Sequence, residues 1–119
     1  MATNRPVTIY GIKACDTMKK ARLWLDTRSI AYAFHDYKAQ AIEPRVLQQW
    51  VRAEGWEMLL NRAGTTFRTL SDVDKLDLDE EKAITLMLAQ PSMIKRPVLV
   101  AGRYLIIGFK PETYAKLFR

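Results

Sequence analysis

The hydrophobic pattern of the N-terminal third predicts a strand, a helix and a second strand. Residues 7–10 form an apolar, β-branched run typical of a buried strand, with Pro6 at its start and Gly11 at its end. Apolar residues then recur at helical spacing over residues 18–28. Residues 31–37 alternate with period two, which indicates a second strand. This order implies a right-handed crossover and parallel pairing of the two strands.

The alternation in the second predicted strand assigns its side chains to two faces. Ala33, His35 and Tyr37 share one face of residues 31–37, and the residues between them share the other. His35 is the only histidine of the chain and has no partner residues at the spacing of metal ligands. We therefore interpret it as a structural residue of the strand.

The middle of the chain, residues 43–90, has the pattern of several helices. Glu43 and Pro44 indicate a helix start, because proline is favoured at the first helical position, and Gly55 indicates the end of that helix. Residues 61–66 form a polar, glycine-bearing turn. Residues 77–81 are mostly acidic and precede the last apolar stripe of the block. Negative charge is stabilised at a helix N-terminus, so this run predicts a helix start rather than a metal site.

The last third returns to strands. Two apolar runs, residues 97–100 and 104–107, are separated by a short glycine-containing connection, which predicts a β-hairpin, and a terminal helix begins near Lys110. The order β-α-β, helical block, β-β-α predicts an α/β fold with a mixed four-stranded sheet. We expect residues 1–119 to form one domain with the helical block inserted at about 43–90 and packed on the sheet.

Composition narrows the class of protein. A chain of 119 residues fits one domain with one core, and 49% of its residues are hydrophobic. The net charge of +6 is spread along the chain, which does not favour nucleic-acid binding. No apolar run reaches the length of a membrane span, and residues 1–6 lack the apolar core of a signal peptide. The single cysteine excludes an internal disulfide, so we expect the protein in the reducing cytoplasm.

The single cysteine, Cys15, lies where the first strand gives way to the first helix. Free N–H groups and the positive end of the helix dipole stabilise an anion there, and a thiolate is such an anion. Lys13, Lys19 and Lys20 add positive charge nearby. These features predict that Cys15 is a nucleophile; the alternative is a small, buried apolar residue.

Four short motifs carry a family resemblance that covers nearly the whole chain. They are residues 10–17 around the cysteine, the turn at residues 61–66, residues 93–97, and Gly108-Phe109. In this order, with the helical block among them, they resemble the ArsC/Spx-like family, related to arsenate reductases, and within it the YffB-like branch. The resemblance implies a thioredoxin-like fold.

The family's chemistry can be transferred to matching positions of this chain. In the arsenate reductase branch a single cysteine attacks an oxyanion held by arginines, and glutathione completes the reduction. The resemblance therefore implies that Cys15 is the catalytic nucleophile and that Arg62 and Arg96 bind the anion. It also implies a cis peptide before Pro97, with the proline backbone beside the thiol, although X-Pro bonds are usually trans. The alternative for both arginines is ordinary surface exposure.

Five further residues complete the predicted substrate or glutathione site. Lys13 could contact a glutathione carboxylate or be solvated. Asp16 and Thr17 could contact the substrate or simply cap N–H groups of the helix. Gly108 and Phe109 are expected near the thiol. No metal is expected, and glutathione is the expected co-substrate.

The chain also departs from the family pattern. Arsenate reductases carry a third arginine after the fourth strand, where this chain has Lys110, and a histidine before the cysteine, which residues 11–14 lack. A lysine is not a planar bidentate donor, so these losses weaken the case for arsenate reduction. The regulator branch has a C-x-x-C pair, and this chain has Cys15 alone.

We therefore predict a glutathione-dependent thiol reductase that uses a single cysteine. Its expected partners are glutathione and a small oxidised or mixed-disulfide substrate, with glutaredoxin as a further candidate, and we expect a monomer. The alternatives are a non-enzymatic, Spx-like regulator that binds RNA polymerase, and a true arsenate reductase. The sequence leaves the physiological substrate open.

Overall fold

The computed structural model describes residues 6–118, and their contacts divide the chain into two compact units. The first, the sheet unit, comprises residues 6–39 and 96–118. The second, the helical unit, is Gln40–Lys95. The expectation that both form one domain stays a prediction.

Four strands and seven helices are present in the described part of the chain. In chain order they are β1 (Val7–Gly11), α1 (Asp16–Thr27), β2 (Ala33–Asp36), α2 (Pro44–Glu54), α3 (Trp56–Leu59), α4 (Thr65–Arg68), α5 (Asp72–Lys75), α6 (Glu80–Ala89), β3 (Val98–Ala101), β4 (Tyr104–Ile107) and α7 (Pro111–Leu117). A single 3-10 turn, Pro91–Met93, follows α6. The predicted element order is confirmed.

The strands form one mixed sheet in the order β2-β1-β3-β4. β1 and β2 are parallel, with Tyr10 opposite His35, while β1 with β3 and β3 with β4 are antiparallel. Val98 is opposite both Tyr10 and Ile107. The ends of β1, β2 and β4 and the start of β3 therefore lie at one edge of the sheet, which we call the site edge.

The two faces of β1 have different surroundings within the sheet unit. Val7 and Ile9 belong to a buried cluster with residues of α1 and with Tyr114 of α7, and Phe34 of β2 packs against it. Tyr10 faces the other way, with its ring centroid 4.8 Å from that of His35. The predicted alternation in β2 is thus confirmed, since Phe34 and His35 lie on opposite faces.

The helical unit has several helix starts and ends at the residues that the sequence predicted. Pro44 is at the first position of α2, Gly55 ends this helix with a φ of 89°, and Leu47 and Trp50 are buried. The acidic run does begin a helix, because an Asp79 carboxylate oxygen accepts a hydrogen bond from the Lys82 N–H at 2.8 Å. The predicted helix start at the acidic run is therefore confirmed.

One boundary in the helical unit differs from the prediction. The turn expected at 61–66 is shorter, because α4 begins at Thr65 and buries Phe67. The helices of the block run from Pro44 to Ala89, and the unit continues beyond them to Lys95, whose N–H donates to the Leu59 carbonyl at 2.7 Å. A pairing between such distant segments leaves no local signal in the sequence.

None of the helices within residues 6–118 has the length and apolar character that a membrane crossing requires.

Candidate functional site

Cys15 is the N-cap residue of α1. Its backbone is extended, with φ −78° and ψ 129°, and its carbonyl accepts the N–H of Lys19 at 3.0 Å, the first hydrogen bond of the helix. The thiol is partly buried and is free of any disulfide. The predicted position of the thiol at a helix start is therefore confirmed.

Gly11 allows this loop to lie close to the helix. A Cβ atom at Gly11 would be 2.2 Å from Sδ of Met18, a fully buried residue in the first turn of α1. Only glycine permits this approach without displacing the methionine. Packing of the first helical turn on the end of β1 thus depends on a residue that the sequence marks only as a strand end.

The environment of Cys15 lowers the pKa of its thiol below the usual value. Partial burial is the largest single influence and raises this pKa, but it is outweighed by the backbone N–H groups of Met18 and Thr17 and by the hydrogen bond and positive charge of Arg96. The thiol makes no capping hydrogen bond in its resting geometry. The two N–H groups nevertheless stabilise the thiolate, because they belong to the first turn of the helix.

Arg96 and Pro97 lie at the site edge, directly before β3. The peptide bond between them is cis, as the resemblance implied. The Pro97 carbonyl accepts a hydrogen bond from the Gly108 N–H at 2.8 Å, which joins this segment to the end of β4. Gly108 has a φ of 87°, a conformation that glycine adopts readily and other residues rarely adopt. The sheet thus brings Arg96, Pro97 and Gly108 together at one edge.

The other predicted residues of the sheet unit differ in exposure. Lys13, Asp16 and Thr17 are exposed around the start of α1, so their side chains are accessible to a ligand. Phe109 instead packs on Tyr114, with ring centroids 4.8 Å apart, and belongs with Cys15 to the residues packed against the core cluster. Its aromatic ring therefore packs against the same core cluster as Cys15.

Arg62 belongs to the helical unit. It is exposed in the turn after α3, and its guanidinium carbon lies 5.3 Å from the centroid of the half-buried Trp56 ring. This stacking holds the planar group without using its hydrogen-bond donors. The role of Arg62 in anion binding stays a prediction.

Tyr37 is a residue that sequence reasoning assigned only to a strand face. Its N–H donates to the Gly11 carbonyl at 2.9 Å, so it lies at the site edge beside the loop that carries Cys15. Its ring is near those of Tyr10 and His35, with centroid distances of 6.5 and 6.1 Å, and the charge of Arg96 acts on its hydroxyl. The sequence did contain one signal for this position of Tyr37. Parallel pairing of β1 and β2 predicts that the residues following these two strands lie side by side.

Carboxylate, imidazole and thiolate side chains do not form a cluster within residues 6–118. Within residues 6–118, no three side chains of His, Cys, Asp or Glu lie close enough together to hold a metal ion. The chemistry that the described residues support is thiolate chemistry beside a fixed cation.

The chain is similar in sequence and structure to several known proteins. A solved YFFB protein is 60% identical, covers 95% of this chain and 99% of its own, and has a TM-score of 0.93. The solution structure of an arsenate reductase (ArsC) related protein from Brucella melitensis is 51% identical, covers 98% and 97%, and has a TM-score of 0.76. The global transcriptional regulator Spx 2 of Bacillus cereus is 28% identical and covers 92% of this chain and 85% of its own.

The match to the family model covers most of the chain. It spans residues 10–117, from Tyr10 at the end of β1 to the last residue of α7. Cys15, Arg62, Arg96, Pro97 and Gly108 all lie inside the matched range. With its α/β fold of thioredoxin-like type, the chain belongs to the ArsC family.

Proposed function

We propose that the protein is a glutathione-dependent thiol reductase whose nucleophile is Cys15. One observation carries the proposal: the Cys15 thiol lies at the start of α1 with Arg96 beside it, and together these lower the pKa of the thiol. A thiolate is the reactive form of cysteine. The reaction belongs in the cytoplasm, where glutathione keeps thiols reduced.

The reaction has two exchange steps. The Cys15 thiolate attacks the glutathione sulfur of a mixed disulfide, which forms a Cys15–glutathione disulfide and releases the substrate as a thiolate that takes up a proton. A second glutathione, as thiolate, then attacks the glutathione sulfur on Cys15 and forms glutathione disulfide while Cys15 returns to the thiolate. An external thiol is required because Cys15 is the only cysteine.

Three cationic residues are assigned to binding. Arg96 stabilises the Cys15 thiolate and would also hold a carboxylate of glutathione or an oxyanion, since a guanidinium group offers several donors at once. Lys13 and Arg62 are assigned to the remaining carboxylates, and Asp16, Thr17, Pro97, Gly108 and Phe109 to the walls of the pocket. In an oxidised small substrate, arsenate included, the anionic oxygens would take the place of the carboxylate.

A coupled assay tests the proposal. A glutathionylated cysteine peptide is supplied with glutathione, and formation of glutathione disulfide is followed through glutathione reductase and NADPH. We expect turnover by the natural protein and background turnover by Cys15→Ser, with circular dichroism showing that the variant is folded. Activity that survives in Cys15→Ser would overturn the assignment of the nucleophile. A parallel reaction with arsenate and glutaredoxin tests the oxyanion substrate.

A second candidate function is regulation through a protein partner. The likeness to a global transcriptional regulator favours it, and the helical unit exposes apolar side chains, with Val73 and Leu76 74% and 61% accessible. Purified RNA polymerase immobilised on resin is the probe. Stoichiometric retention of both the natural protein and Cys15→Ser would favour the regulator; retention of neither would favour the reductase.

A further inference from the structure

The backbone of Tyr37 lies at the site edge, and the charge of Arg96 acts on its hydroxyl. Its backbone is tied to Gly11 at the end of β1, and β1 leads directly into the loop of Cys15. Arg96 acts electrostatically on the hydroxyl of Tyr37 and also hydrogen-bonds to the thiol of Cys15. One guanidinium group therefore links the tyrosine and the nucleophile.

The Tyr37 hydroxyl is buried without a partner. Only 6% of the residue is accessible, and within residues 6–118 no side chain or backbone group forms a hydrogen bond with its oxygen. Buried polar groups are nearly always paired, and an unpaired one reduces stability. A phenylalanine would fill the same space without this loss, so the hydroxyl calls for a role that stability does not explain.

The chemistry of the hydroxyl favours a donor role. Burial, with a smaller contribution from Tyr10, raises the pKa of Tyr37, and Arg96 offsets this only in part. The group therefore stays protonated and can donate a hydrogen bond. Arg96, whose charge acts on this hydroxyl, also has donors only, so a group that could accept from both residues is an anionic oxygen.

We propose that Tyr37 is a further binding residue of the site, whose hydroxyl donates a hydrogen bond to the anionic oxygen that Arg96 holds beside Cys15. The inference rests on the proposed function, and the ligand oxygen is that of a glutathione carboxylate or of a tetrahedral oxyanion. The hydroxyl is closed to solvent in this structure, so the ligand oxygen reaches it only when the side chains that cover it move on binding. The site is completed only when the ligand binds.

Tyr114 provides a matched control. Its hydroxyl is also buried and unpaired within the described residues, and burial alone raises its pKa. It lies in the core cluster of the sheet unit, against Trp24 and Phe109, and no charge from Arg96 acts on it. Tyr114→Phe removes the same atom from a position that is also buried and unpaired but lies outside the site.

The test is calorimetric titration of the natural protein, Tyr37→Phe and Tyr114→Phe with reduced glutathione and, separately, with sulfate. We expect Tyr37→Phe to bind about tenfold more weakly, as loss of a hydrogen bond to a charged group predicts, and Tyr114→Phe to bind normally. If Tyr37→Phe lowers the affinity for glutathione, the oxygen that accepts from Tyr37 belongs to a carboxylate. If it lowers the affinity for sulfate, this oxygen belongs to a tetrahedral oxyanion. The thermal midpoint of Tyr37→Phe should be equal or higher.

Three results would overturn the proposal, and they can be distinguished. If the natural protein binds glutathione and Tyr37→Phe binds it and sulfate equally well, the role of Tyr37 is wrong and the proposed function stands. If the natural protein binds neither probe saturably, the proposed function fails together with this inference. A Tyr37→Phe variant that is less stable and binds normally would show that the hydroxyl is merely structural.

Discussion

The guanidinium group of Arg96 hydrogen-bonds to the thiol of Cys15, although the two residues come from opposite ends of the chain. The antiparallel pairing of β1 and β3 places Tyr10 opposite Val98, so the loop after β1 meets the segment before β3. The sheet thereby supplies a cation to a thiol that already lies at a helix start.

Removal of the charge at position 96 should raise the pKa of the Cys15 thiol. Arg96→Gln loses the positive charge and the guanidinium donor, while the backbone N–H groups of Thr17 and Met18 remain. Ultraviolet thiolate absorbance followed against pH measures the change. Arg103→Gln in the exposed hairpin turn is the control and should titrate like the natural protein. An unchanged titration in Arg96→Gln would show that the arginine does not stabilise the thiolate.

The alkylation rate of Cys15 should depend on pH with a midpoint below that of a free cysteine. A lowered pKa keeps the thiolate populated at pH values where a free thiol, with a pKa of about 8.5, is protonated. The rate with iodoacetamide should fall only as the pH drops through the lowered pKa. The lowered pKa of the Cys15 thiol also contributes to the free energy of unfolding. This contribution is present at pH values above the pKa of the thiol in the unfolded chain, and it is lost as the pH falls through the lowered pKa of the folded protein. A midpoint at or above that of a cysteine peptide contradicts the lowered pKa.

Gly11→Ala should destabilise the protein by about 1–3 kcal/mol, the usual cost of forcing extra atoms into a packed core. The new Cβ would be 2.2 Å from Sδ of the fully buried Met18. Unfolding in urea measures the free-energy change. Gly64→Ala is the control: its Cβ would be 2.8 Å from the amide nitrogen of Asn61, a side chain that can move aside. Equal losses in the two variants would rule out the close approach as the cause.

Asp79→Ala should reduce stability by about 1 kcal/mol, a typical cost of losing an N-cap. The Asp79 carboxylate accepts a hydrogen bond from the Lys82 N–H at the start of α6. Asp79→Asn keeps an acceptor there and should retain most of the stability in thermal unfolding. If Asn and Ala lower the midpoint alike, the effect arises from charge and not from the cap.

Much of the fold could be predicted because its signals are local. Each of these signals acts within a few residues, so each element can be predicted from its own segment of sequence. Examples are the hydrophobic period, the proline that begins α2, the glycine that ends it and the acidic start of α6. The extension of the helical unit to Lys95 depends on backbone pairing with Leu59, which no local pattern encodes. The start of α4 at Thr65, which accompanies the burial of Phe67, likewise has no local signal in the sequence.

The sequence by itself determined that a single thiol stands at the start of a helix after a buried strand, and its motifs indicated the ArsC family. The motifs also implied Arg96 and Pro97 at the thiol, but only tertiary structure decided how distant segments reach that thiol and that Tyr37 lies at the same edge. The sheet pairs β1 with β2 on one side and β3 on the other, and so brings Arg96 to Cys15 and Tyr37 to Gly11. The reason is physical: a helix start is created by neighbouring residues, whereas a charge or a buried hydroxyl from a distant segment arrives only through strand pairing.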